Sequence, residues 1–301
     1  MNKLYYYFKQ NFHYFCFFFI FILFLKTFFI SYFNPLGDKW AYQELFINYS
    51  GGFIRRGLLG ELYLTFNNFY QIEPNKFFSI VFIVSYLVAL ILYFNLLKKI
   101  KDYYLIFIFI VFSPSLILFN IYDQNTFLTK DIFSNLSILI HAVYINTHKN
   151  DKDLKKYNKF LLYVVIPILF INIINHEMQF FFVGIHLLFT LYNYDIKKVN
   201  QKQKKLFPYF LTLVPLILIF FFPGSWEKVD IINDTISNFD VKINNQLAGN
   251  INLAIGGFIK WHFFYHGIES FINLFICLIL TIVLFITIGQ FLIKERIIFL
   301  S

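Results

Sequence analysis

An all-α integral membrane protein is the fold class this sequence predicts, and three observations predict it. Apolar residues fill 58% of the 301 positions and charged residues only 14%, whereas soluble domains carry about 25% charged residues. Forty-five Phe and 21 Tyr suit helices facing lipid and headgroups better than a close-packed soluble core. The apolar residues also fall in runs, several approaching the ~20 residues that cross a bilayer core. The net charge of +9 does not point to nucleic acid. Most Lys residues sit in short connectors between apolar runs, where topology signals belong.

Taken in order, the first run is 12–33, preceded by Lys3 and Lys9. It is too long for a signal-peptide core and lacks a small-residue cleavage site, so it reads as an uncleaved signal-anchor helix. Lys26 interrupts it near its far end, either snorkelling outward or facing the bundle interior. Further spans are expected at 77–97, 103–121, about 127–146, 160–175, 178–194, 206–222 and 270–292. That makes about eight transmembrane helices in one polytopic domain, residues 1–301. The stretch 160–194 alternatively reads as a bent or re-entrant hairpin. Cys16 and Cys277 both fall in apolar spans, and neither a disulfide framework nor a metal motif follows from them.

Lys and Arg sort the connectors into two sides. Seventeen lie at the termini and in the connectors around 98–101, 149–159 and 197–205, and eight lie in the longer opposite loops. The positive-inside rule then places both termini in the cytoplasm. Two substantial loops, 34–76 and 223–269, fall on the outer face, with shorter ones at 123–131 and 176–177. Function is expected on that face.

The first outer loop reads as two interfacial helices, 38–49 and 53–66, separated by Ser50-Gly51-Gly52. Asp38 is either a helix N-cap or a general base. Glu44 is the second candidate carboxylate. Arg55 and Arg56, the only Arg-Arg pair, either contact headgroups or grip a substrate phosphate by fork-shaped hydrogen bonds. Lys130-Asp131 is either an interfacial ion pair or part of the site. Asn175-His176-Glu177 is either a polar turn or a site segment, because two ionisable groups near membrane depth are costly unless paired or wet. His176 is of the type that titrates near neutral pH. His262 and His266 stand at i, i+4, but without an HExxH pattern interfacial placement is their default. No metal site or cofactor is expected, with a divalent cation the one alternative kept open.

Carboxylates, adjacent arginines and aromatics on one face suit sugar transfer from a lipid-linked donor: the arginines for phosphate, a carboxylate to deprotonate a hydroxyl, aromatics to stack on sugar rings. At this point the arrangement resembles a family. The signal-anchor helix, the acidic first loop with two interfacial helices and the bundle of short spans are similar to C-type glycosyltransferases. The stretch Tyr49-Ser-Gly-Gly-Phe-Ile-Arg-Arg-Gly-Leu-Leu-Gly60 also resembles one in membrane proteins of bacterial surface-polysaccharide assembly. The resemblance covers mainly residues 12–66. It implies a bacterial inner-membrane glycosyltransferase using a polyprenyl-phosphate-linked sugar, with the catalytic acid residue at Asp38, or at Glu44 second. Its substrate-binding residues would be Arg55, Arg56, Lys130, Asp131, His176 and Glu177. Its partners would be membrane lipid and the lipid-linked glycan, with no nucleic acid. There are two departures: no paired acidic dipeptide stands at Asp38, and the chain carries no periplasmic domain. O-antigen polymerases, with Arg-bearing outer loops, are the near alternative and would make Arg55 and Arg56 critical. A transporter or flippase is the rival of another class and predicts ionisable residues deep in several spans with broken helices at midplane. A noncatalytic membrane protein is the third, and predicts that outer-face charge substitutions are tolerated.

Overall fold

The computed structural model describes residues 2–33, 40–97, 121, 127–148, 154–196, 207–222, 224–239 and 241–244. The chain divides into two compact units, Met1–Asn252 and Leu253–Ser301, and all described residues lie in the first. Asp38, Asp123, His262 and His266, with the expected spans 103–120 and 270–292, lie outside the described residues.

The described residues are helical, without strands. Helix α1, Asn2–Phe33, runs unbroken because its 32 residues contain neither Gly nor Pro. After α2, Trp40–Glu44, and α3, Leu58–Tyr70, helix α4, Pro74–Leu97, starts on a proline, whose fixed φ suits a first helical position. Helix α5 is Asp131–Thr147. The next stretch runs as α6, Leu154–Phe160, a π-turn at Leu161–Val165, and α7, Ile166–Asn175. Pro167 explains the π-turn. It has no N–H to offer and its ring crowds the preceding turn, and one extra residue of slack relieves both. A 3₁₀ turn, Glu177–Phe182, leads into α8, Val183–Ile196, and another, Phe207–Thr212, into α9, Leu213–Phe221. Helix α10, Trp226–Ile236, is followed by a 3₁₀ turn, Ser237–Phe239.

Among the described residues, three helices are long and apolar enough to cross a membrane: Asn11–Phe33, Pro74–Leu96 and Leu154–Asn175. The other expected spans within the described residues are helical but shorter. Their outer faces present large apolar side chains, among them Phe18, Phe29, Ile91, Tyr163, Phe181 and Phe210, which is the surface a lipid environment requires. The main core joins α1, α4 and α5 with the first loop and α10, through Phe24, Phe46, Tyr63, Phe78, Tyr86, Phe127 and Ile232. A second core joins α7, α8 and α9 through Leu169, Ile173, Val183 and Ile219.

The first loop departs from the expected pair of interfacial helices. The segment Ala41–Asn48 is buried throughout, so it has no solvent or headgroup face to form an amphipathic stripe. Its helix stops at Glu44. Asn48 then turns the chain, its Oδ1 accepting from Ser50 N at 2.9 Å and its Nδ2 donating to Phe46 O at 3.1 Å. The second helix begins at Leu58, five residues later than expected, because Arg56 stands at φ +69°. That left-handed conformation is costly for a residue with a side chain and incompatible with continuing a helix.

Two glycines allow this loop to close. A Cβ at Gly60 would lie 2.2 Å from Ile47 O, and one at Gly57 would lie 2.4 Å from the Tyr49 ring. A ring can rotate away, whereas the Ile47 carbonyl is held by the buried segment. Gly60→Ala is therefore expected to destabilise at the upper end of the ~1–3 kcal/mol typical of overpacking. Gly57→Ala should cost less. Thermal melts of both variants in nanodiscs check the order.

Candidate functional site: a buried ionic cluster

Six of the candidate residues converge on one point from four separate stretches of chain. Glu44 ends α2, Arg55 and Arg56 precede α3, Lys130 precedes α5, and His176-Glu177 join α7 to the following 3₁₀ turn. Glu44, Arg55, Arg56 and Lys130 are each about 5% exposed or less. Charged groups removed from water this completely persist only when paired.

Arg56 and Glu177 form the centre. Arg56 donates from Nε to Glu177 Oε2 at 3.0 Å and from Nη2 to Oε1 at 2.6 Å, the two-pronged geometry that makes such pairs strong. Its Nη1 lies 3.7 Å from Glu44 Oε1, and its backbone N donates to Ile174 O at 3.2 Å. These contacts overdetermine the residue and hold it in its strained backbone conformation. Lys130 Nζ donates to three carbonyls, Arg56 O at 3.0 Å, Asn175 O at 3.3 Å and Glu44 O at 3.5 Å. It also lies 3.4 Å from Glu44 Oε1. The three carbonyls take the three N–H donors of the ammonium, and the Glu44 carboxylate compensates its charge. Lys130 thus pairs across the fold with Glu44 and not with its neighbour Asp131. Asp131 stays exposed and accepts from Gln179 Nε2 at 3.2 Å.

The two adjacent arginines have opposite balances. Burial lowers the pKa of Arg56, but Glu177 and Glu44 outweigh it, and the guanidinium ends above its usual value. Burial lowers Arg55 as well, and there Glu177 and the more distant Glu44 do not compensate, with Arg56 adding repulsion. The geometry agrees. Among the described residues Arg55 donates only from Nη1 to Glu177 Oε1 at 3.3 Å, and its Nε and Nη2 are buried without a partner there. Among the described residues, three cations face two carboxylates in the cluster, an excess of one positive charge.

Glu177 shifts opposite to its partner Arg56. Burial raises its pKa, but Arg56, its hydrogen bond, Arg55 and His176 together hold the carboxyl well below the usual range. Glu44 is likewise held down, burial being outweighed by Lys130, Arg56 and His176. A carboxylate depressed in the folded state adds stability that is present above its unfolded pKa, about 4.3, and lost as pH falls toward the folded value. Unfolding free energy should accordingly be insensitive to these groups between pH 6 and 8 and fall steeply below about pH 4.5. Denaturant titrations across that range check the sign.

His176 is not a neutral-pH titrator. Burial lowers its pKa, Arg56 lowers it further, and the two glutamates do not restore it. Its Nε2 lies 3.8 Å from Glu44 Oε1, a polar contact of a neutral ring and not an ion pair. Its Nδ1 accepts from Met178 N at 3.3 Å, capping the 3₁₀ turn and aiming Glu177 at the arginines.

The sequence reading passed over several polar partners. Asn175 supplies a carbonyl to Lys130, and Lys228 Nζ donates to Phe53 O at 3.3 Å, tying α10 to the first loop. A cleft of about 520 Å³ beside it is lined by Asp230, Asn233, Asp234, Ser237, Val241 and Lys242. Farther along α5, His141 and His186 meet in a buried network. The signal for that network was available, since two histidines within apolar runs carry a desolvation cost that demands partners. Among the described residues no group of three or more His, Cys, Asp or Glu is placed to hold a metal. Comparison with known protein families, characterised proteins and solved structures finds no match to this chain.

Proposed function

We propose that the cluster is the phosphate-recognising centre of a polytopic membrane enzyme that transfers a sugar from a polyprenyl-phosphate-linked donor, in bacterial surface-glycan assembly. The observation that carries this reading is Arg55: a buried guanidinium whose Nε and Nη2 have no hydrogen-bond partner among the described residues, in a cluster where the described cations outnumber the carboxylates. A phosphate oxygen is the acceptor such a fork prefers. Arg56, already held by Glu177, positions Arg55 and the turn before α3. Asp38 would act as base on the acceptor hydroxyl, with Glu44 second. The eight-span topology, inner-membrane location and outer-facing site belong to this proposal and rest on the Lys and Arg distribution. Repeat-unit polymerisation is the variant in which the arginines alone are critical.

Arg55→Ala and Asp38→Asn should each abolish complementation of a deletion strain's surface glycan while leaving protein abundance intact. Deletion that leaves the glycan unchanged, in a host without a second copy, would rule the reading out. Complementation by Asp38→Asn but not by Arg55→Ala would select the polymerase variant.

One observation favours a second reading. His141 and His186 lie buried and paired within helices, and Leu154–Asn175 is interrupted by a π-turn, features expected of a transporter or flippase. Uptake of labelled lipid-linked sugar by proteoliposomes, without glycosidic bond formation, would establish that reading instead.

A further inference from the structure

One acceptor at the edge of the ionic cluster is left over. Gln179 belongs to the 3₁₀ turn Glu177–Phe182, two residues after Glu177 and about 4 Å farther along the turn at ~2 Å per residue. Its side chain is held at one end only. Nε2 donates to Asp131 Oδ1 at 3.2 Å, while Oε1 is buried and has no partner among the described residues. The bond to a carboxylate settles which way the amide faces, because only its N–H end can meet Asp131. The atom left over is therefore a carbonyl oxygen. Gln179 is only 2% exposed, and a buried acceptor without a donor is costly.

Asp131 stands on the other side of that bond. It is the first residue of α5 and is exposed, whereas the carboxylates of Glu44 and Glu177 are taken up by Lys130 and the arginines. Among the described residues its Oδ1 meets Gln179 and its Oδ2 is free. The pair lies beside the arginines. Lys130, next to Asp131 in sequence, donates to Arg56 O at 3.0 Å and to Asn175 O at 3.3 Å. Arg55 donates to Glu177 Oε1 at 3.3 Å. The start of α5 and the two arginines thus meet at the one turn that carries Glu177 and Gln179.

The two sides of this turn ask for opposite chemistry. Arg55 offers Nε and Nη2, which only donate. Gln179 Oε1 and an ionised Asp131 Oδ2 only accept. A metal ion would satisfy two such oxygens, but among the described residues the cluster already holds one positive charge in excess. A further cation would add repulsion, so a neutral donor fits better: a hydroxyl or an amide N–H. A glycosyl phosphate carries acceptor oxygens at its phosphate and such donors around its ring. We infer that Gln179 and Asp131 bind the sugar ring of the lipid-linked donor, accepting from its hydroxyl or acetamido groups next to the phosphate on Arg55. Gln179 contributes Oε1 directly, and its bond to Oδ1 also positions the Asp131 carboxylate. The inference rests on the phosphate reading of Arg55 and adds a preference to it: the sugar-bearing phosphate over the bare one.

Apparent affinities follow from the concentration dependence of thermal shifts of the full chain in nanodiscs. The probes are a polyprenyl monophosphate and the same lipid phosphate carrying glucose, galactose or N-acetylglucosamine. At least one of the three glycosyl phosphates should bind about tenfold or more tighter than the monophosphate. Gln179→Met keeps the bulk but removes the carbonyl, and should erase most of that preference. Asp131→Asn, which turns an acceptor into a donor, should do the same. Asp131 is exposed, so this variant reads the preference even where Gln179→Met does not fold. The ratio between ligands is the readout, because a purely structural role would weaken all of them alike. A native chain that binds the monophosphate and all three glycosyl phosphates equally would overturn this inference and leave the phosphate reading standing. So would a preference that survives both substitutions. A native chain that binds none of the four would overturn both.

Discussion

Glu177→Gln should be among the most destabilising single substitutions in this chain, lowering unfolding free energy by about 3–5 kcal/mol, the range for a buried charge stripped of its partner. The amide keeps the shape but loses the charge and one acceptor. Arg56 would keep its 3.7 Å neighbour Glu44, but the single amide oxygen can replace either Oε1, which serves Arg56 Nη2 and Arg55 Nη1, or Oε2, which serves Arg56 Nε, and not both. The strained φ of Arg56 would then have less to hold it. Glu177→Asp should recover part of the loss, since the charge returns but the shorter side chain cannot meet both prongs. Chemical unfolding in nanodiscs measures both. A loss below about 1 kcal/mol, the value of an exposed ion pair, would mean that the cluster is open to water.

Lys130→Met should produce a comparable loss, again about 3–5 kcal/mol, by a different route. The ammonium is the shared donor for three carbonyls from three segments, those of Glu44, Arg56 and Asn175. Its removal orphans all three and leaves Glu44 with less compensating charge. Adding Glu44→Gln to Lys130→Met removes the charge that was stranded, so the double variant should lose less than the two singles together. The coupling expected for such contacting residues is about 0.5–3 kcal/mol. Strict additivity would show that Glu44 and Lys130 do not act as a pair.

The chain's helical, membrane-type character was legible because composition and run length report it directly, as Asn11–Phe33 and Pro74–Leu96 illustrate. The membership of the cluster was legible too. His176 and Glu177 stood out because ionisable residues near membrane depth are expensive, Arg55 and Arg56 because they form the only Arg-Arg pair, and Lys130 because it stands beside Asp131 at a span entrance. The pairing was not legible. Lys130 has an acidic neighbour in sequence yet reaches Glu44, 86 residues away, because the fold brings a helix start against the end of a buried turn. The first loop misled for a related reason. Trp40, Phe46, Ile47 and Tyr49 look like one stripe, but Trp40 is exposed while Ala41–Asn48 is buried on every side and needs no stripe. The late start of α3 depended on one left-handed residue, Arg56, a position that sequence would sooner give to the glycine beside it. His186 went unremarked because its partner His141 is 45 residues away, and no local pattern links them.

The division of labour between the arginines is the centre of this account: Arg56 holds the fold, and Arg55 keeps two donors for a phosphate. Thermal unfolding of the full chain in nanodiscs, with and without a long-chain polyprenyl monophosphate, tests it most directly, with the matching polyprenol as the phosphate-free control. A ligand that binds the folded state raises the melting temperature. The phosphate should raise it for the native chain and the polyprenol should not. In Arg55→Ala the rise should vanish while the unliganded melting temperature changes little. Equal stabilisation of the native chain by phosphate and polyprenol, or an undiminished rise in Arg55→Ala, would contradict the account.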